Sequence, residues 1–248
     1  PEDGLVVGNG DDPRVWALMQ RCGKRHVSFG FQDHNDYQAV LVQDADGLYN
    51  FCIQQGVARI ARVQLSVPGR HNIYNAMAAL LSAAYCGVPI AEGAPHVAAY
   101  TGARRRFEKA GMCLGAQVFH DYAHHPAEIR ATLAAARDMC ASQVWCIFQP
   151  HTYSRTKLLF EEFVRSFDVA DHLILLDIYA AREADPGDIH AQDLAAAIGK
   201  RGANKSVRYA TTFGEAAGMV KAGIQPGDLV LTLGAGDIES ISALIIDA

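Results

Sequence analysis

V-W-C-I-F-Q-P-H-T-Y-S-R-T-K, Val144 to Lys157, begins as a five-residue apolar run and then turns into a polar loop with a helical pattern behind it. A run this short and this apolar reads as a strand buried on both faces. Leu173 to Ile178, Val207 to Ala210 and Leu229 to Leu233 repeat the pattern, with helical stretches between and after them. One such helix carries Phe160, Phe163, Val164 and Phe167 at i, i+3, i+4 and i+7, and another opens with the capping-box spacing Thr212-x-x-Glu215. Strands alternating with helices predict an α/β fold whose mostly parallel sheet is covered on both faces. Ligands of such sheets bind beyond the carboxyl ends of the strands, so the loop after Phe148 is where chemistry is expected.

Before residue 102 the texture differs. G-L-V-V-G-N-G reads as a strand, and D-D-P-R-V-W-A-L-M-Q as a helix with an acidic cap followed by proline, which is half of a βα unit. A chain that opens on a strand at Pro1 predicts that something precedes it. Tyr37 to Val67 is β-like, with a hairpin expected across Asp46-Gly47. Ile73, Met77, Leu80, Leu81 and Ala84 share a helical face that Gly87 and Pro89 stop. A domain boundary is expected near Gly102.

The 248 residues allow two domains or one large one, and half of them are hydrophobic. A net charge of −5 without long basic runs argues against broad nucleic-acid binding. No apolar run approaches the roughly 18 residues of a membrane span, and the N-terminus lacks the basic start of a signal peptide. A soluble, cytoplasmic protein without membrane or nucleic-acid partners is expected. The six cysteines form no C-x-x-C and mostly sit in apolar runs, which predicts buried, reduced thiols.

Five segments could carry chemistry. F-H-D-Y-A-H-H-P-A-E-I, Phe119 to Ile129, precedes a helical face of Ile129, Leu133, Ala136 and Cys140. Pro126 fits the first helical turn, which leaves Asp121 to His125 in a strand-to-helix loop. His120-x3-His124 imitates a helical zinc pair, but both precede the helix and nothing completes the set, so no metal ligand is assigned. An anion or substrate site is expected there, with a solvated helix cap as the alternative. After Phe148, His151, Arg155 and Lys157 share a loop and helix start where backbone N–H groups also favour a carboxylate or phosphate; a basic helix end facing water is the alternative. V-P-G-R-H-N-I-Y-N puts His71 and Asn72 at a helix start with Asn75 on the same face, and amides suit a base or sugar as well as a cap. G-A-R-R-R-F-E predicts one arginine on a phosphate and the others in water or paired with acids such as Glu108. L-T-L-G-A-G-D-I reads as a strand, a tight turn and Asp237 as helix cap; without a third glycine, NAD is not expected.

Taken in order, G-N-G-D-D-P, G-R-H-N-I-Y-N-A-M-A-A, G-A-R-R-R-F-E, D-Y-A-H-H-P-A-E-I, F-Q-P-H-T-Y-S-R-T, D-I-Y-A-A-R-E and G-D-L-V-L-T-L-G-A-G-D-I resemble the Mur ligases over nearly the whole chain. The resemblance implies a Rossmann-like, mostly parallel C-terminal domain at 102–248 that binds an amino acid. It implies that 1–101 is the later part of the α/β ATPase domain, with its β-hairpin region. The implied reaction is ATP-dependent joining of L-alanine to the lactoyl carboxylate of UDP-N-acetylmuramate through an acyl phosphate, in peptidoglycan synthesis, with Mg2+ as the metal. Asn72 and Asn75, with His71 adjacent, would contact the adenine end of ATP. Arg104 or Arg105 would reach the phosphates, and Asp121 would contact ATP. His124 and Arg155 would hold the amino acid carboxylate, with His125 and His151 in the same site and Tyr122 limiting side-chain size. His124 and Asp121 are the catalytic candidates.

Thr152 stands where relatives usually have arginine, and His120 where they are commonly acidic. No G-x-x-G-K-[ST] phosphate loop occurs in the chain. That loop, the uridine-binding domain and the magnesium ligands are expected in a missing N-terminal part, which makes this a fragment expected to be inactive alone. A ligase that attaches a recycled tripeptide, or a non-catalytic nucleotide or amino acid binding module, are the alternative readings.

Overall fold

The strand and helix expected at the start are β1 (Val6–Asn9) and α1 (Pro13–Arg21). Asp12 caps α1 through bonds accepted from the N–H groups of Arg14 at 2.8 Å and Val15 at 3.4 Å. Pro13 takes the first helical position, where a missing N–H is harmless. The computed structural model describes residues 4–45, 47–140 and 142–246, in two units, Pro1–Thr101 and Gly102–Ala248.

In the first unit β1 is followed by β2 (His26–Gly30), β3 (Tyr37–Ala45), β4 (Leu48–Gln55) and β5 (Ala58–Pro68), ordered β1-β2-β3-β4-β5. The first three strands are parallel, and β3 to β5 run as an antiparallel meander. Of the expected Asp46-Gly47 turn, Asp46 lies outside the described residues; Ala45 pairs with Leu48 on either side. α2 (His71–Tyr85) and α3 (Ile90–Ala98) pack on this sheet through Ile73, Met77, Leu80 and Ile90, which meet Phe29, Phe51, Ile53 and Val63.

The second unit runs β6 (Glu108–Cys113), β7 (Ala116–Asp121), α4 (Pro126–Met139), β8 (Val144–Phe148), α5 (Tyr153–Leu158), α6 (Phe160–Val164), β9 (His172–Leu175), α7 (Ala191–Arg201), β10 (Ser206–Tyr209), α8 (Phe213–Gly223) and β11 (Leu229–Leu233). A 3-10 turn, Ile238–Ile241, and α9 (Ser242–Ile245) follow. The strand order is β10-β9-β8-β11-β7-β6, parallel throughout except for β6. Side chains alternate across the strands, so Phe148 and Leu231 join a core with α4, α6 and α7, while Ile147 and Val230 join a second core with α8 and Ile238 to Ile245. That is why β8 is apolar at every position and β11 at every position but Thr232, whose hydroxyl is bonded to His120.

Local readings need correction. The Phe160 to Phe167 pattern is only partly one helix: Phe160, Phe163 and Val164 share α6, which ends at Val164, and Phe167 lies beyond it although it too is buried. Asp237 makes no side-chain cap; it accepts instead from Gln149 Nε2 at 3.1 Å. Thr212 does cap α8, but Glu215 accepts from Thr211 N–H rather than from Thr212. Cys113, Cys140 and Cys146 are buried, whereas Cys22 and Cys86 are exposed because they fall at helix ends. Among the described residues no helix is long and apolar enough to cross a membrane.

Candidate active site

The carboxyl ends of β7, β8 and β11 bring several of the singled-out residues together. Asp121 ends β7 and is buried, accepting from the N–H groups of Ala123 at 2.7 Å and Phe107 at 2.8 Å. Burial pushes its carboxyl above the usual range, against the pull of those two N–H groups and of the Arg106 charge. Tyr122 N–H donates to Arg105 O at 2.7 Å, which ties the arginine segment to this loop.

His124 Nδ1 lies 2.9 Å from Tyr122 O. A nitrogen facing a carbonyl must carry the proton, so in the neutral ring Nε2 holds the lone pair. Glu128 fixes the loop from below, accepting from the N–H groups of His124 and His125, each at 3.1 Å. Burial raises the Glu128 carboxyl, but the hydrogen bonds from these N–H groups bring it below its usual range. His125 has a different position from His124: it is the N-cap of α4, with Nδ1 accepting from Ala127 N–H at 3.3 Å.

From the end of β8, His151 comes within 6.0 Å of His124 between ring centroids, and Tyr122 lies 5.3 Å from His124 on another side. Arg155 Nη1 contacts both the carbonyl and Nδ1 of His151 at 3.3 Å. Burial, followed by the Arg155 charge, lowers the His151 pKa and so favours the neutral ring. The N–H groups that open α5 do not face an anion as expected, because Glu183 takes that of Ser154 at 2.9 Å. Lys157 pairs with Asp188 at 2.5 Å and is likewise engaged.

The arginine cluster divides sharply. Arg105 pairs with Glu239 at 2.8 Å and donates to Gly236 O at 2.8 Å, with its guanidinium 4.9 Å from the Tyr122 ring, so it braces the turn after β11. Arg104 and Arg106 are exposed, with Arg106 5.3 Å from the same ring. His120 is bonded to Thr232 Oγ1 and, at 3.0 Å, to Ser242 Oγ, so both of its ring nitrogens are engaged within the fold. Among the described residues no three His, Cys, Asp or Glu side chains gather as a metal site.

In the first unit His71 begins α2, and burial lowers its pKa. Asn75 Nδ2 donates to Asn72 Oδ1 at 2.9 Å, and Asn72 Nδ2 to Pro68 O at 2.7 Å. Both amides line a cavity of about 460 Å³ whose walls include Leu65, Leu80, Val97 and Tyr100. Tyr179, Glu183 and Glu128 were not singled out from the sequence. The position of D-I-Y-A-A-R-E just past a strand could have found the first two, and the His125-x-x-Glu128 spacing the third.

Residues 1–83 match the Mur ligase middle domain, and residues 105–236 match the domain described as Mur ligase, glutamate ligase domain. The UDP-N-acetylmuramate–L-alanine ligase of Caldanaerobacter subterraneus subsp. tengcongensis is 41% identical over 248 residues, all of this chain and 54% of that protein. The chain thus spans about half the length of this curated relative. Among solved structures, the UDP-N-acetylmuramate-alanine ligase of Thermotoga maritima superposes with a TM-score of 0.76 at 23% identity, over 97% of this chain and 50% of that one. A MurF ligase from Thermotoga maritima in complex with ADP gives a TM-score of 0.72 at 16% identity, over 98% and 53%. With one domain model covering its first third and another more than half of its length, this chain belongs to the Mur ligase family.

Proposed function

We propose that the chain is the C-terminal half of an ATP-dependent ligase that joins L-alanine to UDP-N-acetylmuramate, with 1–101 as the later part of the ATP-binding domain and 102–248 as the amino acid domain. The observation that carries this reading is the convergence of His124, His151 and Arg155 at the strand ends, with Tyr122 beside them.

Arg155 offers a fixed fork of donors to the carboxylate of the amino acid, and the neutral His151 ring packs beside it. His124, with Nε2 as acceptor, takes a hydrogen bond from the amine and orients it for attack. The Tyr122 ring, 5.3 Å from His124, is assigned to limiting the size of the amino acid side chain. ATP, as co-substrate, supplies the phosphoryl group that activates the lactoyl carboxylate. The apolar cavity beside Asn72 and Asn75 fits a flat base with a hydrogen-bonding edge, which supports their assignment to adenine, with His71 adjacent. Arg105 is engaged within the fold, so Arg104 and Arg106 are assigned to the phosphates, and Asp121 to the nucleotide side of the site. Magnesium ligands are assigned to the part of the enzyme that precedes this chain.

Phosphate release from Mg-ATP, given UDP-N-acetylmuramate and L-alanine, tests the reading. The chain alone should be silent, and addition of the N-terminal half should restore turnover with L-alanine in preference to a tripeptide. Turnover by the chain alone would remove the split-enzyme reading, and preference for the tripeptide would move the function to the recycling ligase.

A further inference from the structure

The motif D-I-Y-A-A-R-E, Asp177 to Glu183, has no part in the chemistry above, yet it lies against the loop that carries His151 and Arg155. Thr152 N–H donates to Tyr179 O at 2.9 Å and Tyr179 N–H to Pro150 O at 2.8 Å, making a parallel bridge between His151 and Tyr179. The two rings stack at 5.5 Å with 27° between their planes. α5 itself begins without a cap of its own: Thr152 has φ 69°, and its side chain bonds no N–H of the first turn. Glu183 fills that place from the neighbouring loop. Its Oε2 accepts from Ser154 N–H at 2.9 Å, its Oε1 from the Ser154 hydroxyl, and Tyr153 N–H also donates to it. Ala181 is held at φ 54°, a conformation residues with a β-carbon seldom adopt, two residues before this cap.

We propose that Glu183 is a positioning residue of the amino acid site: it caps α5 from across the gap and fixes the helix start from which Arg155 reaches His151. Tyr179 stacks on the same histidine ring. The inference rests on the reading of Arg155 and His151 as the carboxylate binders.

The test uses the full-length ligase containing this chain, with steady-state kinetics of wild type, Glu183→Ala and Glu183→Gln. Loss of a helix cap corresponds to about a tenfold change in an equilibrium, so Glu183→Ala should raise KM for L-alanine up to about tenfold while KM for ATP stays near wild type and Tm falls by no more than a few degrees. Glu183→Gln should recover most of the loss, because its Oε1 still accepts from Ser154 N–H and its amide can donate to the Ser154 hydroxyl. An unchanged KM for L-alanine in Glu183→Ala would overturn the proposal, as would equal rises for both substrates with a lowered Tm. A wild-type enzyme without alanine-dependent phosphate release would instead overturn the functional reading. Amide exchange at Ser154 in this chain reads the cap with no substrate present, and no acceleration there in Glu183→Ala would also overturn the proposal.

Discussion

Arg155 is held by two contacts to one residue, the carbonyl and ring nitrogen of His151 at 3.3 Å each, so its fork has little freedom to wander. Hydrogen bonds to charged groups contribute about 1.5–3 kcal/mol, and Arg155→Ala in the full-length ligase should therefore raise KM for L-alanine roughly ten- to hundredfold. Arg155→Lys should recover only part of it, since a point charge cannot reproduce the bidentate geometry; full recovery in steady-state kinetics would mean that only charge matters. A second residue-scale constraint is Gly10. A β-carbon there would overlap Asn35 Oδ1. Asn35 is buried, and its Nδ2 is tied to Asp11 at 2.8 Å and Gln32 O at 3.0 Å, so the amide cannot turn aside. Gly10→Ala should destabilise the first unit by about 1–3 kcal/mol in urea unfolding. The sequence displays Arg155, His151 and His124 in recognisable segments, but nothing in three consecutive arginines says which one turns inward. That choice is made by Glu239 and by the carbonyls of Gly234 and Gly236, more than a hundred residues away.

At the scale of elements, strands buried on both faces were the most legible, because a core on each side makes nearly every position apolar, with Thr232 admitted where its hydroxyl has a partner; Val144–Phe148 and Leu229–Leu233 were read to the residue. The β6–β7 hairpin was not. Its two-residue turn, Leu114-Gly115, has φ 48° and 86°, and a leucine gives no hint of the left-handed conformation such turns demand. The helix read across Phe160 to Phe167 failed for a related reason: apolar spacing records which side chains reach the core, not whether the backbone between them turns. α4 shows how a cap unlike the usual Ser, Thr, Asp or Asn still works. His125 accepts from Ala127 N–H while Glu128 reaches back to His124 and His125, so Glu128→Ala leaves two N–H groups without their acceptor. The loss should be about 1 kcal/mol of stability. Urea unfolding would measure it, and the same variant should raise KM for L-alanine, since the loop it releases carries His124. An effect on stability with none on KM would separate the cap from the site.

For the whole molecule, the alternation of strands and helices gave away the parallel sheet, but the insertion of β11 between β7 and β8 could not be read from runs of apolar residues, because every inner strand looks alike. What holds the amino-terminal edges of these strands is partly electrostatic. Asp228 is buried beneath β11 and accepts from the Ser142 hydroxyl at 2.7 Å, Gln225 N–H at 2.9 Å, Gln143 N–H at 3.1 Å and Trp145 Nε1 at 3.2 Å. Asp171 pairs with Arg137 at 2.5 Å and Lys205 at 3.2 Å, and in the first unit Asp11 accepts from Phe31 N–H at 2.7 Å and the Tyr74 hydroxyl at 2.9 Å. For all three, burial raises the pKa but the bonds outweigh it and leave it below the ordinary value of 3.8. A carboxyl whose folded pKa is depressed stabilises the fold above its unfolded pKa, and that stability is lost as pH falls through the folded value. Asp121 has the opposite sign: its raised pKa favours the folded state below 3.8, and that contribution disappears as pH rises through its folded pKa. With Glu128 also held below its usual range, the depressed carboxyls outnumber the raised Asp121 and predict a net loss of stability as pH drops below about 4. Asp228→Asn should lower stability at pH 7, since an amide offers one acceptor oxygen where the carboxylate offers two, yet flatten the acid limb of the second unit's unfolding curve followed by circular dichroism. An acid limb as steep in Asp228→Asn as in wild type would mean that the carboxylates are not what acid releases.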